Sequence, residues 1–149
     1  MIYSYVRYLM EPTPTIPSGE VYRPRVPIRI SGPKRSVQIF GLLDTGADHV
    51  FVSESLAEVL GVEISGESGS ASDAVGHEID VWPGSVEIEI SQTSQTLRWR
   101  ADVGFLAGDD DPPIAFLGHV GFLEYFKAIF DYGERTVELI PKGDFSVEP

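Results

Sequence analysis

The chain contains no cysteine among its 149 residues, which excludes disulfide bonds and thiolate metal sites. Basic residues are few, because 11 lysines and arginines stand against 23 aspartates and glutamates and give a formal charge of -12. So acidic a surface does not attract nucleic acid or anionic membrane, and we expect neither as a partner. Long apolar runs are also missing. We therefore expect no signal peptide or transmembrane helix, and a cytoplasmic location is the default.

The most informative segment is residues 42–48 (LLDTGAD), where an aspartate lies between an apolar run and a glycine turn. Residues 37–43 are typical of a strand that becomes continuously apolar. Asp44 then ends a buried strand, where a carboxylate is costly without partners. An extended stretch follows the turn, and residues 53–61 are typical of a short helix that Ser53 could cap and Gly61 could end. The Asp-Thr-Gly motif occurs once in the chain.

A second segment follows about seventy residues later. Residues 114–118 (IAFLG) form an apolar run that ends at glycine, which predicts a buried strand. Apolar and acidic residues then recur at helical spacing, at Val120, Leu123, Glu124 and Phe126, and predict a helix. Residues 128–140 predict a hairpin with Gly133 in its turn.

These segments, in this order, resemble the retropepsin-like (retroviral-type) aspartic proteases and their bacterial single-domain relatives, over residues from about 25 to 140. The resemblance implies an all-β closed barrel with a flap hairpin and one short C-terminal helix. It also implies that residues 114–118 pack through the loop that carries Asp44. The chemistry of this family needs two carboxylates and the chain supplies one, so a homodimer is implied. No cofactor and no metal is implied.

Catalysis is assigned by the resemblance to Asp44, Thr45 and Gly46. Thr45 would form a hydrogen bond across the dimer, and Gly46 would leave room for a backbone N–H to approach the carboxylate. The substrate, a peptide or protein, would contact residues of three segments: Ala47, Asp48, His49, Asp73, Ala74, Val75, Gly76 and Leu117.

Two positions qualify this assignment. Ala47 replaces the hydroxyl residue of pepsin-like enzymes, which predicts activity at less acidic pH than theirs. His119 stands where the retroviral enzymes have arginine, so an intersubunit ion pair with Asp48 is either absent or pH-dependent. The alternative for Asp48 is a turn carboxylate that accepts hydrogen bonds from the backbone.

The best flap candidate is residues 66–82, with residues 72–76 near the tip and residues 77–81 as the returning strand. Small residues and glycines suit a mobile lid. The alternative is an ordinary surface loop, because such residues mark loops generally, and the tip lacks the dense glycines of the retroviral flaps.

We expect the chain to divide into an N-terminal strand or arm with a proline-rich linker (1–24), the retropepsin-like protease domain (25–141) and a short tail (142–149). Residues 26–30 and 37–43 predict a hairpin, and residues 86–90 and 96–103 alternate like half-buried antiparallel strands. In retropepsin-like dimers the chain ends interleave. The apolar residues of the arm are therefore either interface residues or parts of a self-packed strand: Ile2, Tyr3, Tyr5, Val6 and Leu9.

Metal sites find little support. His49, His77 and His119 are far apart with no i, i+4 pair, which argues against zinc. Residues 109–113 (DDDPP) lack the alternating ligands of a calcium loop, so a solvated loop is favoured. The expected function is thus an aspartic endopeptidase. The alternative is a catalytically weak or inactive peptide-binding or dimerisation module on the same fold.

Overall fold

A computed structural model describes residues 1–64, 66–108 and 110–143 of the chain. The protein is mostly β, because 55% of the described residues lie in strands and 6% in helices. The helical elements are α1 (Ser55–Leu60) and a 3-10 turn (Leu123–Tyr125). No helix in these ranges is long and apolar enough to cross a membrane. The strands are β1 (Ile2–Ser4), β2 (Val6–Leu9), β3 (Glu20–Arg23), β4 (Arg25–Ser31), β5 (Ser36–Leu43), β6 (Phe51–Ser53), β7 (Gly69–Ser72), β8 (Glu78–Gln92), β9 (Gln95–Leu106), β10 (Ala115–Leu117), β11 (Phe126–Asp131) and β12 (Thr136–Pro141).

Six strands form a closed barrel, in the order β4, β5, β10, β6, β9 and β8, and a direct pairing of β4 with β8 closes it. Alternate residues of each strand point inward because side chains alternate across a strand. In β4 the buried residues are Val26, Ile28 and Ile30, and in β8 they include Ile88 and Ile90. The all-β closed barrel is confirmed. So are the hairpin of β4 with β5 and the strands at residues 86–90 and 96–103, which lie in β8 and β9. These two strands pair with each other in antiparallel orientation.

Strand β10 lies between β5, to which it is parallel, and β6, to which it is antiparallel. The chain then passes at Gly118 against the loop between those two strands. A Cβ atom there would lie 2.3 Å from the His49 carbonyl oxygen and 2.4 Å from that of Ala47, so only glycine fits. The expectation that residues 114–118 pack through the Asp44 loop is confirmed.

The prediction of a C-terminal helix after Gly118 is wrong, because only the 3-10 turn Leu123–Tyr125 forms before the chain extends into β11. The apolar spacing has another cause. The Phe122 and Phe126 rings both pack on Trp99, with centroids 5.4 Å and 5.8 Å from its ring. A tight turn followed by a strand places both rings in the core. Of the residues whose spacing predicted a helix, Leu123 and Phe126 are buried, so their spacing reflects tertiary packing instead.

Gly61 ends α1 in the left-handed conformation (φ 76°), as expected. Ser53 does not cap this helix, because the N-cap residue is Glu54. Instead Ser53 is fully buried, and its Oγ accepts a hydrogen bond from the Ile114 N–H (2.8 Å). The hydroxyl serves as a backbone partner where β6 ends, so it is not available at the helix terminus.

A second sheet has the order β1-β12-β11, and its β11–β12 hairpin has Gly133 in the turn, as expected. Strand β1 pairs with β12 of the same chain, and Tyr3 is buried there. The N-terminal strand therefore packs within its own chain, which is the second of the two alternatives stated above. Strands β2 and β3 pair as a separate hairpin. Most of the expected tail, residues 144–149, and Asp109 of the acidic loop lie outside the described residues.

Candidate active site

Asp44 directly follows β5 and is fixed by backbone hydrogen bonds. Its N–H donates to the Leu117 carbonyl of β10 (3.2 Å), and its own carbonyl accepts from the Ala47 N–H (3.2 Å). The carboxylate Oδ1 accepts a hydrogen bond from the Gly46 N–H (2.9 Å). A turn stabilised in this way holds the carboxylate in one orientation, as Asp commonly does when it binds the backbone two residues on.

The loop directs polar groups outward. The Asp44 side chain is half-buried, while Thr45 and Gly46 are exposed. Within the described residues, neither Asp44 Oδ2 nor the Thr45 hydroxyl has a hydrogen-bond partner. One carboxylate oxygen and one hydroxyl are therefore available to a ligand or to a second protein chain.

The residues after Gly118 support this loop from the other side. The N–H groups of His119 and Val120 donate to the carbonyls of Ala47 and Asp48, both at 2.9 Å. The His119 ring Nε2 lies 2.7 Å from the Thr45 carbonyl oxygen. Since a carbonyl only accepts, this nitrogen carries the proton. The contact of His119 with the loop was not predicted from the sequence, where His119 is only a replacement for arginine.

The expected substrate-contact residues near Asp44 differ in exposure. Asp48 and His49 are exposed, whereas Ala47 is buried and Leu117 is fully buried beneath the loop. Leu117 packs against Gly41, where a Cβ atom would lie 2.6 Å from the Leu117 Cδ1. In the described part of the chain the Asp48 carboxylate forms no hydrogen bond or ion pair, so the turn-type bond that was the alternative for it is not formed.

Residues 69–81 form a hairpin, in which β7 pairs with the first residues of β8. Its turn is organised by Asp73, whose Oδ1 accepts from the N–H groups of His77 and Val75, each at 2.9 Å. Asp73 Oδ2 also lies 2.9 Å from the His77 Nδ1. These bonds, first that from the His77 backbone, hold the pKa of Asp73 below its ordinary value. The turn exposes Val75 to 77%.

The hairpin turn and the Asp44 loop are not connected by any hydrogen bond or ion pair among the described residues. Two shallow surface depressions, of about 370 and 210 Å³, are lined by neither the Asp44 loop nor the hairpin turn. Their lining comes from β4, β5, β8 and β9 and the turn after β4: Pro27, Ile28, Arg29, Gln38, Glu89 and Ser91 for the smaller, and Ser31, Gly32, Pro33, Ser85, Val86, Glu87 and Arg100 for the larger.

No protein-family model matches this chain, and no curated protein is significantly similar to it. The interpretation of the site therefore depends on its residues and their geometry.

Proposed function

We propose that this chain is a retropepsin-like aspartic endopeptidase that acts as a homodimer, with Asp44 of each subunit at a shared catalytic centre. The substrate would lie as an extended strand across the two subunits, because strand addition satisfies peptide backbone groups whatever the side chains are. The hairpin of β7 and β8 would cover it as a flap.

One observation carries the proposal. Asp44 is held on a loop that β10 and Gly118 brace from beneath, with Oδ1 bonded to the Gly46 N–H and Oδ2 left without a partner in the described residues. The turn uses only one of the two carboxylate oxygens, so the other can take part in chemistry without disturbing the loop. The neighbouring Thr45 hydroxyl, also without a partner there, supports a hydrogen bond to a second subunit.

Two Asp44 carboxylates at a two-fold axis would be roughly 3 Å apart, and like charges at that distance do not both ionise, so the pair shares one proton. The ionised carboxylate then acts as general base on a water held between them. The protonated carboxylate donates to the scissile carbonyl oxygen. The product of this step is a tetrahedral gem-diol, and no covalent bond to the enzyme forms.

The proposal is tested by cleavage of a diverse peptide library between pH 2 and 7, over protein concentrations that span dimerisation. We expect cleavage that rises more steeply than linearly with protein concentration and is inhibited by pepstatin. Asp44→Asn should abolish it, because the amide cannot act as the base. Asp102→Asn is the matched control: Asp102 is exposed on β9, outside the loop, and its substitution should leave cleavage unchanged.

Cleavage that survives Asp44→Asn would overturn the proposed mechanism. A wild-type protein that forms dimers and binds peptides but cleaves none would instead support the alternative, a peptide-binding module on this fold. A profile confined to below pH 3 would contradict the expectation drawn from Ala47.

A further inference from the structure

One edge of the β1-β12-β11 sheet is closed by a side chain. The Ile2 N–H donates to the Gln92 Oε1 (2.6 Å), and the Gln92 Nε2 donates back to the Ile2 carbonyl. Gln92 lies at the end of β8, so the barrel itself supplies the amide that occupies this edge. An added strand would have to displace it. The β1 edge is therefore protected against pairing with another chain.

The opposite edge, at β11, is open. Met1 and Leu139 exchange two backbone hydrogen bonds, so Leu139 and every second residue of β12 face β1. The other residues of β12 face β11, where their partners are Lys127, Ile129 and Asp131. The backbone groups of Ala128 and Phe130 consequently point away from the sheet, and they have no hydrogen-bond partner among the described residues.

This edge carries one feature that discourages pairing, the charged side chains of Lys127 and Asp131, and lacks three others. Edge strands are commonly protected by charged residues, proline, a bulge or a covering segment. Strand β11 has no proline and pairs with β12 in continuous register from Phe126 to Asp131. Two large apolar residues stand exposed on it, Ile129 at 41% and Phe130 at 40%. It is thus a ready template for another strand.

The sequence of β11 is complementary to itself when two copies run antiparallel. Residues whose backbone groups point away from the sheet must lie opposite each other, so that they can exchange hydrogen bonds. Ala128 can therefore lie opposite the partner's Phe130. This register places Ile129 opposite the partner's Ile129. It also places Lys127 opposite the partner's Asp131, and Asp131 opposite the partner's Lys127. Ile129, Lys127 and Asp131 share one face of the sheet, so two ion pairs flank an apolar contact.

We infer that β11 pairs with β11 of a second copy across a two-fold axis, which joins the two three-stranded sheets into one of six strands. A two-fold axis requires the same patch on both subunits, and this register supplies it. The inference rests on the proposed function in that it names the surface through which the homodimer forms. It differs from an interleaving of chain ends, because β1 stays within its own subunit.

Charge exchange tests this register. We expect Lys127→Asp alone, or Asp131→Lys alone, to weaken the dimer at least about tenfold in sedimentation equilibrium, because each brings like charges face to face. The double variant should regain the wild-type affinity. An equimolar mixture of the two single variants should form a heterodimer, since their charges are complementary. Lys34→Asp is the control: it makes the same change of charge at an exposed turn between β4 and β5.

A second variant does not depend on charge. Ala128→Pro removes an N–H that makes no bond within the described chain, so the fold should tolerate it while the pairing is lost. Circular dichroism and thermal melting of every variant verify folding, which matters for Asp131 because its Oδ1 accepts the Glu134 N–H (3.0 Å).

A monomeric wild-type protein at about 100 µM, or a dimer that Ala128→Pro and both single charge variants leave intact, would overturn the inference. Its outcome separates from that of the proposed function. A dimer that responds to the charge variants but cleaves nothing supports the β11 interface and not the protease. Cleavage by a dimer that these variants do not affect supports the protease and not the β11 interface.

Discussion

At the scale of single residues, the peptide group between Thr45 and Gly46 is held at both ends. His119 Nε2 donates to the Thr45 carbonyl oxygen (2.7 Å), and the Gly46 N–H donates to Asp44 Oδ1 (2.9 Å). A hydrogen bond to a peptide oxygen polarises the group and strengthens donation by its N–H. His119 therefore positions the carboxylate without touching it.

His119→Ala should free this peptide and lower the kcat of the proposed cleavage about tenfold with little change in KM, because the Asp44 orientation is lost and not the substrate contacts. His119→Gln should recover most of the loss, since its amide can donate to the same oxygen. The Gly46 amide proton shift in NMR reports the effect independently of activity. If that shift is the same in wild type and His119→Ala, His119 has no such role.

The sequence predicts the Asp44 motif because the apolar run, the carboxylate and the glycine turn are contiguous. The contact of His119 with Thr45 joins residues 74 positions apart, and no local pattern encodes it. Ser53 shows the same limit. Its type and place before α1 are those of a helix cap, but Ser53 is buried at the end of β6 and its hydroxyl accepts from the Ile114 N–H instead.

At the scale of elements, the β7–β8 hairpin offers a pH test. The N–H groups of His77 and Val75 bind the Asp73 carboxylate and lower its pKa from the usual 3.8. Because the pKa of Asp73 is lower in the folded state, these bonds stabilise the fold fully at pH values above the pKa of the unfolded state. This stabilisation is lost as the pH falls through the lower pKa of the folded state.

In a His77→Asn background, which removes the titratable imidazole in contact with Asp73 Oδ2, we expect the Val75 amide resonance to be constant from pH 7 to 5 and to shift mainly below pH 3.8. Adding Asp73→Asn keeps an acceptor oxygen at the turn and leaves no titrating group in it, so the resonance should then be flat throughout. A shift already complete at pH 5 would show that Asp73 is not held by these bonds.

Strands were predicted more accurately than the helix after Gly118 for a physical reason. Alternation in β4, β8 and β9 reflects a strand with one buried face, which local sequence records directly. The spacing around Phe122 and Phe126 records only that both rings are buried. Whether a helix or a turn buries them depends on Trp99, which another strand supplies.

At the scale of the whole molecule, barrel closure was predicted only through the family resemblance and could not be read from local strand patterns. It depends on the pairing of Arg29–Ser31 with Glu87–Glu89, two segments that local patterns describe only as separate strands. The pairing of β1 with β12 likewise joins the two ends of the described chain. The sequence left open whether β1 belongs to its own subunit, because strand patterns do not identify the partner strand.

The charge of the whole chain predicts how salt would affect the proposed dimer. Two copies with a formal charge of -12 each repel one another at long range. The screening length falls from about 30 Å at 0.01 M salt to about 3 Å at 1 M, so this repulsion nearly disappears. We expect the dissociation constant of the proposed dimer to fall at least about tenfold between 0.01 and 1 M NaCl in sedimentation equilibrium. The proposed cleavage, measured at a fixed low protein concentration, should rise as more dimer forms.

Sodium chloride suits this measurement better than sulfate, which also strengthens apolar burial. The proposed pairs of Lys127 with the partner's Asp131 act in the opposite sense, since salt weakens them, but they are two short-range contacts against the charge of the entire subunit. A dimer that weakens steadily with NaCl would mean that local attraction at the interface outweighs the net repulsion. The acidic surface would then lie far from the two-fold axis.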